Sequence, residues 1–438
     1  MLPRGAVRRA VRLSFAQVML GAVYAASTGG MFLIGYALQL GATNVQIGLM
    51  STIPMLCVGV QLGTAALIER GVSRRRLTFF ASLLNVACWF PVILIPYAAP
   101  DTPSSIKVGI LIAALTTLTF FAYVAGNARG SWVGDLIPAR FRGTFFGRAA
   151  MYGGMIASLF AIAEGAFLDV IKRHGLAAFG ILFGFGMAFG VAGALLFLPQ
   201  ADIPAPRHKD GANLPRLVRE TLTNRSLRMV MLFAVLWSLQ VVAAPFYATY
   251  MLRDLGMPFL GIGIVNAFFM LAFLFSGPLW GRAVDRWGCR PVLTACATVF
   301  GLVQCVWLWL DTARAVYFTI PLINLIAGAA AGGVGVALST LLYKVTPSRG
   351  RSVHLAVYSI VVVLTAAPLP SLGGHLPDWF AGLGLPADLR LTFYIAGLFM
   401  LLSALVARRI HEPGARRARH MLRDFGAQWL TPILRWRD

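Results

Sequence analysis

The chain has 438 residues, of which 58% are hydrophobic and only 12% are charged. Because soluble domains average about 25% charged residues, this composition excludes an ordinary soluble domain and indicates a membrane protein. The net charge of +22 would suit a nucleic-acid partner, so the distribution of the basic residues along the chain has to decide what that charge means.

Twelve segments are long and apolar enough to cross a membrane as helices, which takes about 20 mostly apolar residues. Their approximate spans are 13–36, 46–68, 77–98, 106–127, 145–168, 176–198, 229–251, 259–281, 291–310, 315–342, 353–376 and 391–410. The sequence therefore predicts an all-α polytopic membrane protein with twelve transmembrane helices.

The basic residues are divided unequally between the loops on the two sides of these spans. With the N-terminus in the cytoplasm, 32 of the 38 Lys and Arg residues lie on the inner side. The six outer ones are Lys107, Lys172, Arg173, Arg253, Arg314 and Arg390. This asymmetry follows the positive-inside rule. We expect a multi-pass protein of the cell inner membrane, with both termini cytoplasmic, the lipid bilayer as partner and no nucleic-acid partner.

The first half carries two charged inner loops. The loop Ala65–Leu77 reads AALIERGVSRRRL and contains Glu69, Arg70 and Arg74. The segment GDLIPARFRG contains Asp135 and Arg142. Because irregular backbone and charges cannot face lipid, both segments are predicted to lie at the cytoplasmic surface.

Glu164 is an acid within the apolar run of the fifth span, FFGRAAMYGGMIASLFAIAEGAFL. An ionisable group inside a membrane helix is costly and is a functional candidate by default. A desolvated carboxylate can load and release a proton at near-neutral pH. The alternative is that Glu164, close to the outer end of its helix, reaches water or pairs with Lys172 or Arg173.

Residues 199–228 are rich in proline and basic residues and include LPRLVRETLTNRSL. We interpret them as a cytoplasmic linker with one amphipathic helix on the membrane surface. The tail, 411–438, mixes arginines with large apolar residues, which fits either an interfacial helix on anionic lipid or an unstructured basic tail.

The loop between the eighth and ninth spans, Gly281–Leu293, reads GRAVDRWGCRPVL. It resembles the signature loop of the major facilitator superfamily of transporters, G-x-L-x-D-R-x-G-R-R-x-x-L. The residues on the pattern are Gly281, Asp285, Arg286, Gly288, Arg290 and Leu293. The family carries a second loop of this kind between its second and third helices, and Ala65–Leu77 repeats the spacing without two of the glycines.

Further landmarks repeat between the halves. Leu40-Gly41 with Ile47-Gly48 matches Leu255-Gly256 with Ile262-Gly263 at an offset of 215, and Gly165 with Asp169 matches Gly374 with Asp378 at 209. Two parallel six-helix halves around a midplane substrate site describe this superfamily. The resemblance implies pseudo-symmetric six-helix bundles at 1–198 and 229–410, joined by the linker.

By this resemblance the inner loops form a gate latch, in which an acid caps a helix N-terminus of the other half. The expected latch residues are those of the two loops, with Asp135 as partner of an arginine and with Arg142 and Arg351 in the flanking inner segments. The alternative is that the basic loops only set topology.

The resemblance also implies which spans line the cavity. The polar or aromatic candidates for solute binding on these spans are Tyr24, Asn127, Arg129, Trp237, Gln240, Tyr247, Asn266, Asn324 and Tyr358. Trp237 and Gln240 share one face of the seventh span. Polar side chains in hydrocarbon also join helices to one another, and Arg129 can instead extend to the inner surface.

The chain offers no P-loop, no second histidine after His411-Glu412 and no G-x-S-x-G elbow. We therefore expect no enzyme activity, no cofactor and no metal site. The predicted function is secondary transport of a small solute, with proton coupling and a monomeric state expected from the family. The alternatives are an uncoupled facilitative carrier and a solute sensor that signals through the tail.

Overall fold

The computed structural model describes residues 4–98, 101–136, 139–202, 214–310, 318–347, 351–384 and 388–412. Within these ranges every regular element is a helix, as expected where the backbone has to satisfy its own hydrogen bonds in lipid. The predicted tail beyond Glu412 and the centre of the linker lie outside the described residues.

The first six predicted spans are built from nine helices. These are α1 (Arg4–Thr28), α2 (Gly30–Gln39), α3 (Asn44–Leu56), α4 (Val60–Glu69), α5 (Arg74–Ala87), α6 (Trp89–Ala98), α7 (Ser104–Leu136), α8 (Ala139–Ile171) and α9 (Leu176–Leu195). The first span is broken between α1 and α2, where Gly30 has φ +53°, a conformation that favours glycine.

The linker helix and the last six spans follow in the same manner. They are α10 (Leu214–Thr223), α11 (Arg225–Ser238), α12 (Phe246–Thr249), α13 (Phe259–Trp287), α14 (Cys289–Val306), α15 (Thr319–Val345), α16 (Arg351–Ala366), α17 (Leu369–Gly382) and α18 (Leu389–Arg409). A five-residue π-helix, Tyr250–Asp254, extends α12.

The described residues contain eleven helical stretches long and apolar enough to cross a membrane. The remaining prediction, 46–68, is helical but interrupted, because a 3-10 turn at Cys57–Gly59 separates α3 from α4. Pro54 contributes to this break, since it lies inside α3 and cannot donate a backbone hydrogen bond. The chain is thus a multi-pass membrane protein, and the predicted all-α class is confirmed.

The chain divides into two compact units. The first comprises Met1–Gly211, Val242–Ala267 and Ala367–Leu389. Within it α1 packs against α8 and α9, and α5 packs against α7. Trp132 is fully buried beside Phe197, and its indole N–H donates to the carbonyl of Ala201 at 3.0 Å. This bond ties the end of the sixth span to α7.

The second unit comprises Ala212–Val241, Phe268–Ala366 and Arg390–Asp438. Its α14 packs against α15, and α11 packs against α16. The indole N–H of Trp280 donates to the carbonyl of Ala329 at 2.7 Å. A Cβ at Gly332 would lie 2.8 Å from the carbonyl oxygen of Phe273, so glycine is required for this close approach of α13 and α15.

The linker helix α10 belongs to the second unit. Thr221 is fully buried on α10, and its hydroxyl lies 2.6 Å from Nδ1 of His354 on α16. The Thr221 face of α10 is thus docked on α16, where its hydroxyl meets a buried imidazole. The predicted position of this helix on the membrane surface stays a prediction.

Candidate functional site

Several helices pack closely at the end of the protein opposite the basic loops. The charge distribution predicts that this end lies outside, and we call it the outer end. In the first unit, α3 lies so close to α17 that a Cβ at Gly48 would collide with the carbonyl of Pro370. The backbone N–H of Ser371 also donates to the hydroxyl of Thr52 at 3.1 Å. We call this contact the α3–α17 pair.

An equivalent contact joins α8 to the start of α13. A Cβ at Gly263 would lie 2.9 Å from the carbonyl oxygen of Ala161, and one at Gly165 would lie 2.8 Å from that of Phe259. The residues of this α8–α13 pair follow the sequence repeat, since Gly48 corresponds to Gly263 at the offset of 215 and Gly165 to Gly374 at 209. The outer end is therefore closed by two related helix pairs.

The ring of Phe259 completes this closure. It packs against Phe32 and Phe179, with ring centroids 6.0 and 5.7 Å apart. A Cβ at Gly35 would approach the Phe259 ring to 2.5 Å. The first residue of α13 thus fills an apolar recess of the six-helix N-terminal half.

Glu164 lies on α8 between Ala161 and Gly165 of the α8–α13 pair and is buried, with 5% of its surface exposed. Its Oε1 accepts a hydrogen bond of 2.5 Å from the hydroxyl of Ser27 on α1. Its Oε2 is buried without a hydrogen-bond partner in the described part of the chain. Of the alternative partners, Arg173 is exposed, and the side chain of Lys172 lies outside what the structure describes.

Tyr24 is predicted to face a solute, but its hydroxyl group is hydrogen-bonded to other side chains of the protein. Its hydroxyl donates to Oδ1 of Asn85 at 2.8 Å and accepts from the indole N–H of Trp89 at 2.8 Å. The amide of Asn85 donates onward to the carbonyl of Leu118 at 2.7 Å. The three side chains join α1, α5, α6 and α7, which is the role of a helix-joining network.

Four other predicted solute contacts also have partners within the chain. The amide of Asn127 donates to the carbonyl of Gln61 at 3.0 Å, and that of Asn324 to the carbonyl of Ile320 at 2.9 Å. The ring of Trp237 stacks on Phe233 and packs edge-on against Phe300. Tyr247 also interacts with the protein.

The remaining candidates are Arg129, Gln240, Asn266 and Tyr358. Asn266 is exposed, and the other three are half-buried. Their side chains form no hydrogen bond or ion pair with another described residue. Among the predicted solute contacts, these four retain unused polar groups.

The predicted inner latch is only partly described. Asp285 is exposed, and the guanidinium of Arg286 lies 5.1 Å from the ring centroid of Trp287. Arg70 is exposed and Arg74 is buried. The side chains of Glu69, Asp135, Arg142 and Arg351 lie outside what the structure describes. Each of the two loops turns at a glycine with positive φ, Gly71 at +94° in the first and Gly288 at +95° in the second.

A cap that the sequence did not reveal lies at the start of α14. Both oxygens of Glu412 accept backbone hydrogen bonds there, from Cys289 at 3.1 Å and from Arg290 at 2.8 Å. Lys344 adds an ion pair of 3.2 Å. Burial alone would raise the pKa of the Glu412 carboxyl, but the two N–H groups and Lys344 outweigh burial and lower this pKa from its usual value.

The first half has a related contact. Asp202 accepts a hydrogen bond from the hydroxyl of Ser73, the residue that precedes α5. Asp202 and Glu412 are 210 residues apart, so the half-chain repeat is the signal that would have found both. Within the described residues, no group of three His, Cys, Asp or Glu side chains is arranged to hold a metal ion.

The chain resembles a known protein family in sequence and known structures in fold. Residues 229–437 match the model of the Major Facilitator Superfamily. No curated protein sequence matches the chain significantly.

Solved transporters share the fold along nearly the whole chain. A variant of the nucleoside transporter NupG superposes with a TM-score of 0.69 at 13% identity, covering 92% of this chain and 100% of that one. A D-xylose-proton symporter gives 0.69 at 14% identity, covering 94% and 99%. A bacterial homologue of the iron transporter ferroportin, solved in an inward-facing state, gives 0.69 at 13% identity, covering 93% and 99%.

Proposed function

We propose that this chain, a member of the Major Facilitator Superfamily, carries a small solute across the membrane by alternating access and is not an enzyme. Two six-helix halves, 1–198 and 229–410, would rock about a midplane site, joined by the linker 199–228 and followed by the tail 411–438. The observation that carries the proposal is the closure of the outer end by the two related helix pairs.

The geometry of this closure suits a gate. At the α3–α17 and α8–α13 pairs, glycines allow direct contact between the helix backbones. No long side chains interdigitate at these glycines, so the helices can separate without repacking such side chains. Packed helix interfaces are bistable and do not deform continuously. Each pair therefore has a closed arrangement, and separation at both pairs would open the outer end.

We further propose that Glu164 carries a proton. Its buried Oε2 without a described partner is a position where a carboxyl proton can reside while Oε1 keeps its bond to Ser27. Glu164 lies on the same helix as Gly165 and Ala161, which form the α8–α13 pair. Protonation at this position would thus act on a helix that closes the outer end. The D-xylose-proton symporter among the similar structures is consistent with such coupling.

The solute contacts are proposed to come from polar groups that form no bond within the described part of the chain: those of Arg129 and Asn266 in the first unit, and those of Gln240 and Tyr358 in the second. Arg129 is a half-buried cation within a membrane span. A guanidinium in this position pairs well with a carboxylate or phosphate. This favours a solute with an anionic group over a cationic drug.

The proposed location is the cell inner membrane, with both termini in the cytoplasm and the chain acting as a monomer. The support for this orientation is the charge distribution, with 32 of 38 basic residues on one side.

Purified protein in liposomes tests the proposal. Sugars, nucleosides, amino acids and organic acids are added one at a time while tracer uptake and internal pH are recorded. Saturable uptake of one compound class establishes transport, and an accompanying pH change establishes coupling. Saturable uptake without a pH change would leave a facilitative carrier. Saturable binding without uptake for every ligand found would overturn transport and favour a sensor.

A further inference from the structure

The helix α13 begins without a capping side chain of its own. It starts at Phe259 and follows Gly256, Met257 and Pro258, none of which has a side-chain oxygen. The first N–H groups of a helix have no partner inside the helix and need an external acceptor. A helix start buried within a contact is costly unless such an acceptor is supplied.

Asp169, at the outer end of α8, supplies this acceptor. Its Oδ1 accepts from the backbone N–H of Phe259 at 3.0 Å, and its Oδ2 accepts from that of Leu260 at 2.9 Å. A carboxylate also interacts favourably with the positive end of the helix dipole. The cap therefore spans 90 residues of sequence and joins a helix of the N-terminal half to one of the C-terminal half.

The equivalent position in the repeat is arranged differently. Asp378 follows Asp169 at the offset of 209, but its side chain is exposed. The helix that Asp378 would cap, α3, has a local cap, because Thr43 accepts from the N–H of Gln46 at 3.3 Å and Gln46 accepts from that of Thr43 at 3.0 Å. Because of this capping box, the N-terminus of α3 keeps its hydrogen-bond cap whether or not α17 is in contact.

We propose that Asp169 is a positioning residue that holds the outer end closed at the α8–α13 pair, and that its repeat counterpart Asp378 has no such role. The proposal rests on the alternating access proposed above. It makes the gate asymmetric: separating α8 from α13 uncaps α13, whereas separating α3 from α17 leaves the capping box of α3 intact.

The size of the effect follows from capping energetics. Loss of an N-cap acceptor changes an equilibrium by about five- to thirty-fold. Asp169→Asn keeps the shape of the side chain, loses its charge and leaves only one of the two acceptors. We therefore expect this variant to shift the ratio of closed to open outer ends toward open by about that factor.

Spin labels measure the gate directly. On a cysteine-free background, one label replaces Val170 and the other Ile264, both exposed, at 77% and 37%. Asp169→Asn is expected to increase the population of long distances between the labels, and Asp169→Glu, which restores the charge, to reverse part of that increase. Asp378→Asn, the matched control, should leave the distribution unchanged. Equal distributions in wild type and Asp169→Asn, or equal shifts in the two Asn variants, would overturn the proposal.

Hydrogen exchange gives the second readout. Peptides that begin at or before Leu255 report the amides of Phe259 and Leu260, whose exchange should accelerate in Asp169→Asn. If exchange accelerates but the label distances do not change, Asp169 is only a structural cap and the gate assignment is wrong. Both measurements are made without a solute. If no transport were found, the proposed function would be wrong, but these measurements would still test whether Asp169 holds the outer end closed.

Discussion

The carboxylate of Glu412 accepts a hydrogen bond from the backbone N–H of Arg290 at 2.8 Å, across 122 residues of sequence. With the second bond from Cys289 at 3.1 Å, it ties the end of the twelfth span to the start of the ninth. The loop Gly281–Leu293 therefore leads into α14, whose N-terminus is capped by a residue of the same unit. Asp285 of this loop is exposed.

Removing this cap should destabilise the protein. Glu412→Ala leaves two backbone N–H groups and Lys344 without their acceptor, and we expect a loss of about 1–2 kcal/mol in the free energy of unfolding. The measurement is thermal unfolding in detergent. Glu220→Ala, an exposed acid on α10, is the control and should fall within about 0.5 kcal/mol of wild type.

The same cap predicts a dependence on pH. Because the pKa of Glu412 is lowered in the folded protein, the stabilisation is fully present above the ordinary carboxyl pKa of about 4.3 and is lost as pH falls through the lowered value. The stability difference between wild type and Glu412→Gln should therefore shrink on acidification. A difference that stays constant across this range would show that the carboxylate charge does not act at this cap.

Adding one methyl group at the α3–α17 pair should open it. Gly48→Ala places a Cβ into the carbonyl of Pro370, whereas Gly63→Ala, in the same predicted span, places it in open space. We expect Gly48→Ala to increase the distance between spin labels on α3 and α17, while Gly63→Ala leaves that distance unchanged. Identical distances in the two variants would mean that the close approach does not hold the outer end closed.

The linker helix should loosen when its buried hydrogen bond is removed. Thr221→Val keeps the side-chain shape but loses the hydroxyl that meets Nδ1 of His354. Faster hydrogen exchange is expected for the peptide that covers 214–223. The control is Thr223→Val, because the exposed hydroxyl of Thr223 donates only to carbonyls of its own helix. Equal exchange in the two variants would count against docking through Thr221.

The sequence identified the glycines of the outer contacts as a repeat, but it did not predict the contacts themselves. Gly48 and Gly263, like Gly165 and Gly374, could be matched by offset because a close backbone approach tolerates only glycine and so leaves a residue-level trace. Hydropathy located the spans but not the breaks within them, at Gly30 in the first span and at the 3-10 turn Cys57–Gly59 in the second. The second break depends on how a 3-10 turn fits its neighbours, which hydropathy does not record.

The hydrogen-bonded residues could not be assigned from sequence, because their roles depend on partners far along the chain. Tyr24 has the residue type of a solute contact, but its hydroxyl is hydrogen-bonded to Asn85 and Trp89. Asp169 and Asp378 are equivalent in the repeat, yet only the first caps a helix, since Thr43 already serves α3. The latch and solute-contact assignments as a whole stay predictions.

The most direct test of the central claim is solute-driven proton movement in liposomes, compared between Glu164→Gln and Ser27→Ala. Glu164→Gln keeps the hydrogen bond to Ser27 but cannot titrate, whereas Ser27→Ala removes the bond and leaves the carboxyl. If Glu164 carries the proton, Glu164→Gln abolishes the pH change while Ser27→Ala retains it at an altered rate. Undiminished proton movement in Glu164→Gln would contradict the account and leave Glu164 as a link between α1 and α8.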